Sequence, residues 1–394
     1  MSSQPPARRS ASMLTLGRVR GVPVVVSPSW TLVALLLTVV YGPLVDDAVA
    51  DVDGAGAYAA AFAFSLLFAG CVLAHELGHT VISTALGYPV RRVVLLVLGG
   101  VSEIDGEPTR PRHELAIAAS GPLVSLVIAA AGLGAHLATP AGSLASVLFA
   151  LLAWTNLALA VFNLLPGLPL DGGHIVRAVV WACGASAVTS TRIAAWCGRV
   201  LAVLVAGTGL LALRGQAGTG SSLLVLFLAV YLWASATQTL RLADVRRTLP
   251  TVSVAALLRP GVLVPEHASV AEALRRVHDV GARGVVLTDA AQRPVAVVEE
   301  RLVSAVAPER QAWTPARDVA RPLTAATTLR PDVHRGHDGE AGGGLDATTV
   351  FEHMQRHPAP EYLVLTDAGE PAGIIATVDF ARALNQRLRT GGRR

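Results

Sequence analysis

The sequence predicts a polytopic α-helical membrane domain of about six transmembrane helices, followed by a soluble α/β domain made of two repeats. Three observations point there. The chain has 394 residues, 52% hydrophobic and only 15% charged, with a mean hydropathy of +0.52, whereas soluble proteins carry about 25% charge. The deficit is confined to one half. Residues 1–240 hold 12 Arg and 10 Asp/Glu, but 241–394 hold 20 Arg and 18 Asp/Glu, an ordinary soluble composition. In that second half a strand–turn–strand pattern recurs at a spacing near 78 residues. A single soluble domain and a disordered chain are both excluded.

Five windows lack any charged residue: 21–45, 54–74, 115–170, 200–213 and 215–240. A span needs about 20 apolar residues, so 115–170 is two, divided at Thr139-Pro140-Ala141-Gly142. The expected spans are 27–44, 57–85, 114–138, 144–165, 193–213 and 221–240. Arginines then fall on one side: Arg8, Arg9, Arg18 and Arg20; Arg91, Arg92, Arg110 and Arg112; Arg177 and Arg192; Arg241, Arg246 and Arg247. The other side has Asp46, Asp47, Asp51, Asp53 and Arg214. Both termini are therefore expected in the cytoplasm. The expected divisions are a tail at 1–20, a membrane domain at 21–247, and repeats at 248–325 and 326–394.

Every basic residue is Arg, a compositional bias to which no function attaches, and the net charge of +4 is shared equally by the two halves. A nucleic-acid partner is not expected. Cys71, Cys183 and Cys197 lack CxxC spacing and read as small buried apolar residues.

Against this background His75-Glu76-Leu77-Gly78-His79 stands late in a span. Residues four apart share a helix face, so His75 and His79 can offer two imidazoles to one zinc ion, with Glu76 beside them as general base. A carboxylate in a bilayer span costs roughly 2.5–3.5 kcal/mol on insertion scales, so it is seldom kept idle. A third ligand is needed. Asp171 ends the long charge-free run, in Asn163-Leu164-Leu165-Pro166-Gly167-Leu168-Pro169-Leu170-Asp171-Gly172-Gly173-His174, where two prolines break the helix and two glycines admit close backbone. His174 is the substitute. Asn163 is read either as a donor to substrate backbone or oxyanion or as a helix–helix hydrogen bond. Asn156 and Cys71 are read as packing.

HELGH at 75–79 with NxxPxxPLDGG at 163–173 resembles the site-2 proteases, intramembrane zinc metalloproteases, and specifically their bacterial and archaeal branch with six membrane helices and a cytoplasmic CBS pair. The resemblance covers essentially the whole chain. It implies one Zn²⁺ per chain on His75, His79 and Asp171, with Glu76 as acid and base. Ser120-Gly121-Pro122 and Leu98-Gly99-Gly100 fit family patterns. The latter implies a membrane-embedded β element, around Val93–Val97, that pairs with unwound substrate, so Gly99 and Gly100 are candidate substrate-binding residues.

In the soluble half, Gly284–Ala290 with Pro294–Val298 matches Tyr362–Ala368 with Pro371–Ile375, each behind a helix (269–280 and 346–356). This resembles a tandem CBS pair, a module that often binds adenine nucleotides. Nucleotide-binding members end the second strand with Thr/Ser-x-x-Asp. Here Ala376-Thr377-Val378-Asp379 keeps Asp379 without the hydroxyl at its usual place, and Val297-Val298-Glu299-Glu300 has neither. A docking or dimerisation module is expected, with an adenine nucleotide at Asp379 as the alternative. His334–Gly344 reads as a flexible loop.

The expected function is hydrolysis of peptide bonds within or near transmembrane segments in a bacterial cell membrane, with anti-sigma factors as the usual bacterial substrates. A CBS-regulated transporter is the alternative from another class, but it needs ionisable or hydroxyl groups along several spans, which this sequence lacks. A catalytically inactive membrane scaffold is the third, opposed by the intact motif residues.

Overall fold

Val22–Val26 is a β-branched run too short to cross a bilayer, and Pro28 separates it from the apolar residues that follow. One apolar window therefore takes two structures. The computed structural model describes residues 14–96, 99–214, 219–330, 345–366 and 368–391. It divides into two units, Met1–Arg241 and Leu242–Arg394.

In the first unit β1 (Leu14–Val19) and β2 (Val22–Val26) form a hairpin turning at Arg20-Gly21, both with positive φ. This corrects the expectation of a tail through residue 20. β2 pairs in parallel with β3 (Val90–Leu96), and β3 runs antiparallel to β4 (Gly99–Ile104). The sheet order β1-β2-β3-β4 leaves β4 at an edge. Val97 and Leu98 lie outside the described residues. Gly99 opens β4 with φ +127°, a conformation that favours glycine after the hairpin.

The helices are α1 (Trp30–Ala48), α2 (Gly54–Ala85), α3 (Pro111–Ala138), α4 (Leu144–Asn163), α5 (Asp171–Ala182), α6 (Ala187–Arg214) and α7 (Thr219–Thr248). All but α5 are long and apolar enough to cross a membrane, which makes the six expected spans. Asp53 caps α2 by accepting from Gly56 N–H, Ser143 caps α4 through Ser146 N–H, and Pro111 opens α3 where its missing N–H costs nothing. At 32 residues α2 is about 48 Å long, more than the roughly 30 Å hydrocarbon core of a bilayer. His75 and His79 stand about 9–15 Å from its C-terminal end. The segment after α4 was expected to be irregular. It is so over residues 164–170, where Pro166 and Pro169 disfavour helix, and Asp171 starts α5.

The second unit runs β5 (Gly261–Pro265), α8 (Val270–Val280), β6 (Gly284–Thr288), β7 (Pro294–Val298), α9 (Glu300–Ser304) and β8 (Ala320–Pro322), then β9 (Thr328–Leu329), α10 (Ala347–Arg356), β10 (Glu361–Leu365), β11 (Pro371–Ala376) and α11 (Thr377–Gly391). Its sheets have the orders β5-β6-β7-β8 and β11-β10-β9. The hairpins β6–β7 and β10–β11 occupy corresponding places, and Val286, Val297, Leu363, Leu365 and Ile374 pack them together. Ser269 and Asp346 cap α8 and α10 with side-chain oxygens. These are the two α/β repeats, each a strand–turn–strand behind a helix, that the sequence predicted. His334–Gly344 and Asp367 lie outside the described residues.

Candidate metal centre

The four-residue spacing places His75 and His79 on one face of α2, both buried, with ring centroids 5.0 Å apart. Their outer nitrogens are held by α3. His79 Nδ1–H donates to the Ile117 carbonyl at 2.7 Å. A carbonyl can only accept, so the proton sits on Nδ1 and the Nε2 lone pair is left for a metal. His75 Nδ1 is 2.9 Å from the Ser125 hydroxyl.

One face of α3, at Glu114, Ile117, Gly121 and Ser125, does most of this work. Gly121 makes room for it: a Cβ there would overlap Nε2 of both histidines. Gly121→Ala is therefore expected to push the imidazoles apart and drop bound zinc well below one per chain, read by elemental analysis of the purified protein. Full zinc in that variant would contradict the packing described.

Asp171 arrives from α5 as its first residue. Its Oδ2 lies 3.1 Å from His75 Nε2 and 3.3 Å from His79 Nε2. For ligands about 2.0–2.1 Å from a tetrahedral zinc, neighbouring ligand atoms stand about 3.3 Å apart, so this spacing fits the ion. Two imidazoles and a carboxylate also suit a catalytic zinc, whose fourth position goes to water. Among the described residues these three form the one such donor group. The approach of α5 depends on Gly172 and Gly173, where a Cβ would run into the backbone of Leu164 and Leu165 and of Gly167 and Leu168.

Glu76 is buried next to the donors. Its Oε2 accepts from the Ser102 hydroxyl of β4 at 2.9 Å, and Gly100 lies so close that a Cβ would collide with Glu76 Cγ. A cavity of about 370 Å³ opens here, lined by Glu76, His79 and Asp171, by Gly100, Val101, Ser102 and Ile104 of β4, and by His174 and Arg177 of α5.

The remaining expectations divide. Gly100 lines the cavity and Gly99 begins the same strand. His174 is not in the donor group; its Nδ1 lies 3.2 Å from Glu114 Oε1. Asn163 donates to the Leu159 carbonyl of its own helix and does not line the cavity. Asn156 is fully buried, donating to Leu152, and Cys71 is buried outside the donor group. Cys183 is exposed, against expectation, because it caps α5 at a turn.

The sequence reading missed an ion pair. Arg177, counted among the loop charges that set topology, is buried on α5 with Nη1 donating to Glu114 Oε1 at 2.7 Å. The i, i+3, i+6 spacing of Asp171, His174 and Arg177 was the available signal.

In the second unit Asp379 opens α11 and accepts from Arg259 Nε at 2.7 Å, which holds its carboxyl below the usual carboxylate range. It lines a cavity of about 450 Å³ with Arg259, Arg283, Glu300, Glu361 and Arg382. Burial pushes the Glu361 carboxyl up. The Thr377 hydroxyl donates to the Ala359 carbonyl.

A paired-histidine helix and an inserted aspartate thus stand among six helices long and apolar enough to cross a membrane, a donor set that suits a catalytic zinc. Residues 63–142 and 136–207 match the model of peptidase family M50. Both matched stretches lie in the membrane unit and carry the two histidines and Asp171. A Synechocystis protein named as a zinc metalloprotease is 36% identical over 170 residues, 43% of this chain and 44% of its own length. A Mycobacterium tuberculosis protein also named as a zinc metalloprotease, Rip3, is 29% identical over 328 residues, covering 82% of this chain and 80% of that protein. The chain thus spans less than half of the first relative and four-fifths of the second. Among solved structures, the site-2 protease from Methanocaldococcus jannaschii is 26% identical with a TM-score of 0.42, covering 58% of this chain and 95% of that one.

Proposed function

We propose that this chain is a zinc-dependent endopeptidase that cuts other membrane proteins within or near their transmembrane segments, in regulated intramembrane proteolysis such as that of anti-sigma factors. One observation supports this above the rest. A three-donor group and a buried carboxylate meet beside a cavity that His79, Asp171, Glu76 and the edge strand β4 line, inside a multi-pass membrane domain. The runs of Arg flanking alternate spans favour both termini in the bacterial cytoplasm.

His75, His79 and Asp171 would hold the ion. When bound, zinc supplies Lewis-acid polarisation of the scissile carbonyl and lowers the pKa of its water toward 7. Glu76 takes a proton from the attacking water and hands it to the leaving amine. The Ser102 hydroxyl and Gly100 keep its carboxylate in place. A peptide bond in a substrate helix is already hydrogen-bonded, so it must unwind before it reaches the cavity. The free edge of β4 offers backbone partners to the unwound segment.

For the second unit we favour a docking or dimerisation role. Asp379 is already paired with Arg259, and Glu300 and Glu361 in the same cavity oppose phosphate.

Removing the metal tests the main reading. Dialysis against a zinc chelator is expected to abolish cleavage of a transmembrane reporter in vesicles, and zinc at one equivalent to restore it. Cleavage that survives complete zinc removal would sink the proposal.

A further inference from the structure

The Glu114–Arg177 pair is incompletely satisfied in a specific way. Both side chains are more than nine-tenths buried. Arg177 Nη1 meets Glu114 Oε1, yet Arg177 Nε and Glu114 Oε2 have no hydrogen-bond partner and are buried. One ion pair thus holds an orphan donor and an orphan acceptor, a costly arrangement in a protein interior. The remaining contacts are loose: Arg177 Nη2 reaches the half-exposed Glu107 only at 3.5 Å, and His174 shares the Glu114 Oε1 already taken by Arg177. Both members of the pair line the cavity that Glu76 and Asp171 also line.

A peptide unit carries the complementary set, one N–H and one C=O. We propose that Arg177 and Glu114 form a clamp for substrate backbone: when an unwound peptide enters the cavity both side chains turn toward it, a substrate carbonyl accepts from Arg177 Nε–H and a substrate N–H donates to Glu114 Oε2. The site takes an unwound peptide of any side-chain sequence. Arg177 stands six residues beyond Asp171, about 9 Å along α5, so the clamped unit lies about two or three residues from the scissile bond. The clamp rests on the protease reading and adds a second handle to the edge strand.

Lysine separates this role from a structural one, because Arg177→Lys keeps a cation beside Glu114 but removes the Nε–H donor. The assay titrates a fluorescent transmembrane peptide of a cleaved reporter into the full-length, zinc-loaded Glu76→Gln chain in lipid nanodiscs. Arg177→Lys, and separately Glu114→Gln, are expected to weaken peptide binding about tenfold, the effect of losing a charge-assisted hydrogen bond, with zinc content unchanged. Unaltered affinity in Arg177→Lys, or affinity lost only in step with zinc, overturns the clamp. Because the readout is binding, failure of the wild-type chain to cleave would instead count against the protease reading.

Discussion

Glu76→Gln is expected to retain one zinc per chain and to lose cleavage of a membrane-embedded reporter by about a thousandfold or more, within the range general acid–base catalysis contributes. The substitution is nearly isosteric. The amide oxygen of Gln still accepts from Ser102, and the side chain still fills the narrow space beside Gly100. The donor group His75, His79 and Asp171 is untouched. Only proton transfer is removed, because an amide at neutral pH cannot take the water's proton and return it to the amine. Reporter turnover in vesicles, with zinc measured on the same preparation, checks both halves of the statement. Turnover within tenfold of the wild type would mean that another group is the base.

Asp171→Ala is expected to fail differently, losing zinc and cleavage together. With the carboxylate gone, His75 and His79 are left as a two-ligand site, and a catalytic zinc ordinarily has three protein ligands. The histidines stay oriented by Ser125 and Ile117, so the loss is one of affinity rather than of fold. Competition with a chromogenic zinc chelator would show the ion lost from Asp171→Ala at concentrations the wild type withstands. The neighbouring His174 supplies the alternative. If Asp171→Ala kept its zinc and the double variant with His174→Ala lost it, His174 would be the third ligand.

The site was legible in the sequence because of its setting. In a half-chain that is short of charge, an intramembrane Glu76 and an Asp171 at the end of the longest uncharged run stand out. The helical period then joins His75 to His79 without further information. Other parts left no such trace. The carbonyl of Ile117 orients His79, and every residue has a carbonyl. Arg177 and Glu114 each sit where an ordinary flanking charge is expected, and only their encounter between α3 and α5 shows that they are buried together. The strand Val22–Val26 shares one uncharged window with α1, and hydropathy alone does not mark a β-branched run ahead of a helix as a strand. Gly121 is visible as a residue but not as a cradle until the two imidazoles are seen against it.

The central claim is that the zinc site cuts peptide bonds belonging to the membrane-embedded part of a substrate. The most direct measurement incubates the zinc-loaded full-length chain in vesicles with a single-span reporter and locates the new termini by mass spectrometry, alongside the Glu76→Gln chain. Cuts within or within a few residues of the reporter's span, made by the wild type and absent with Glu76→Gln, are expected. Cuts confined to the soluble part of the reporter, or the same cuts from both chains, would contradict it.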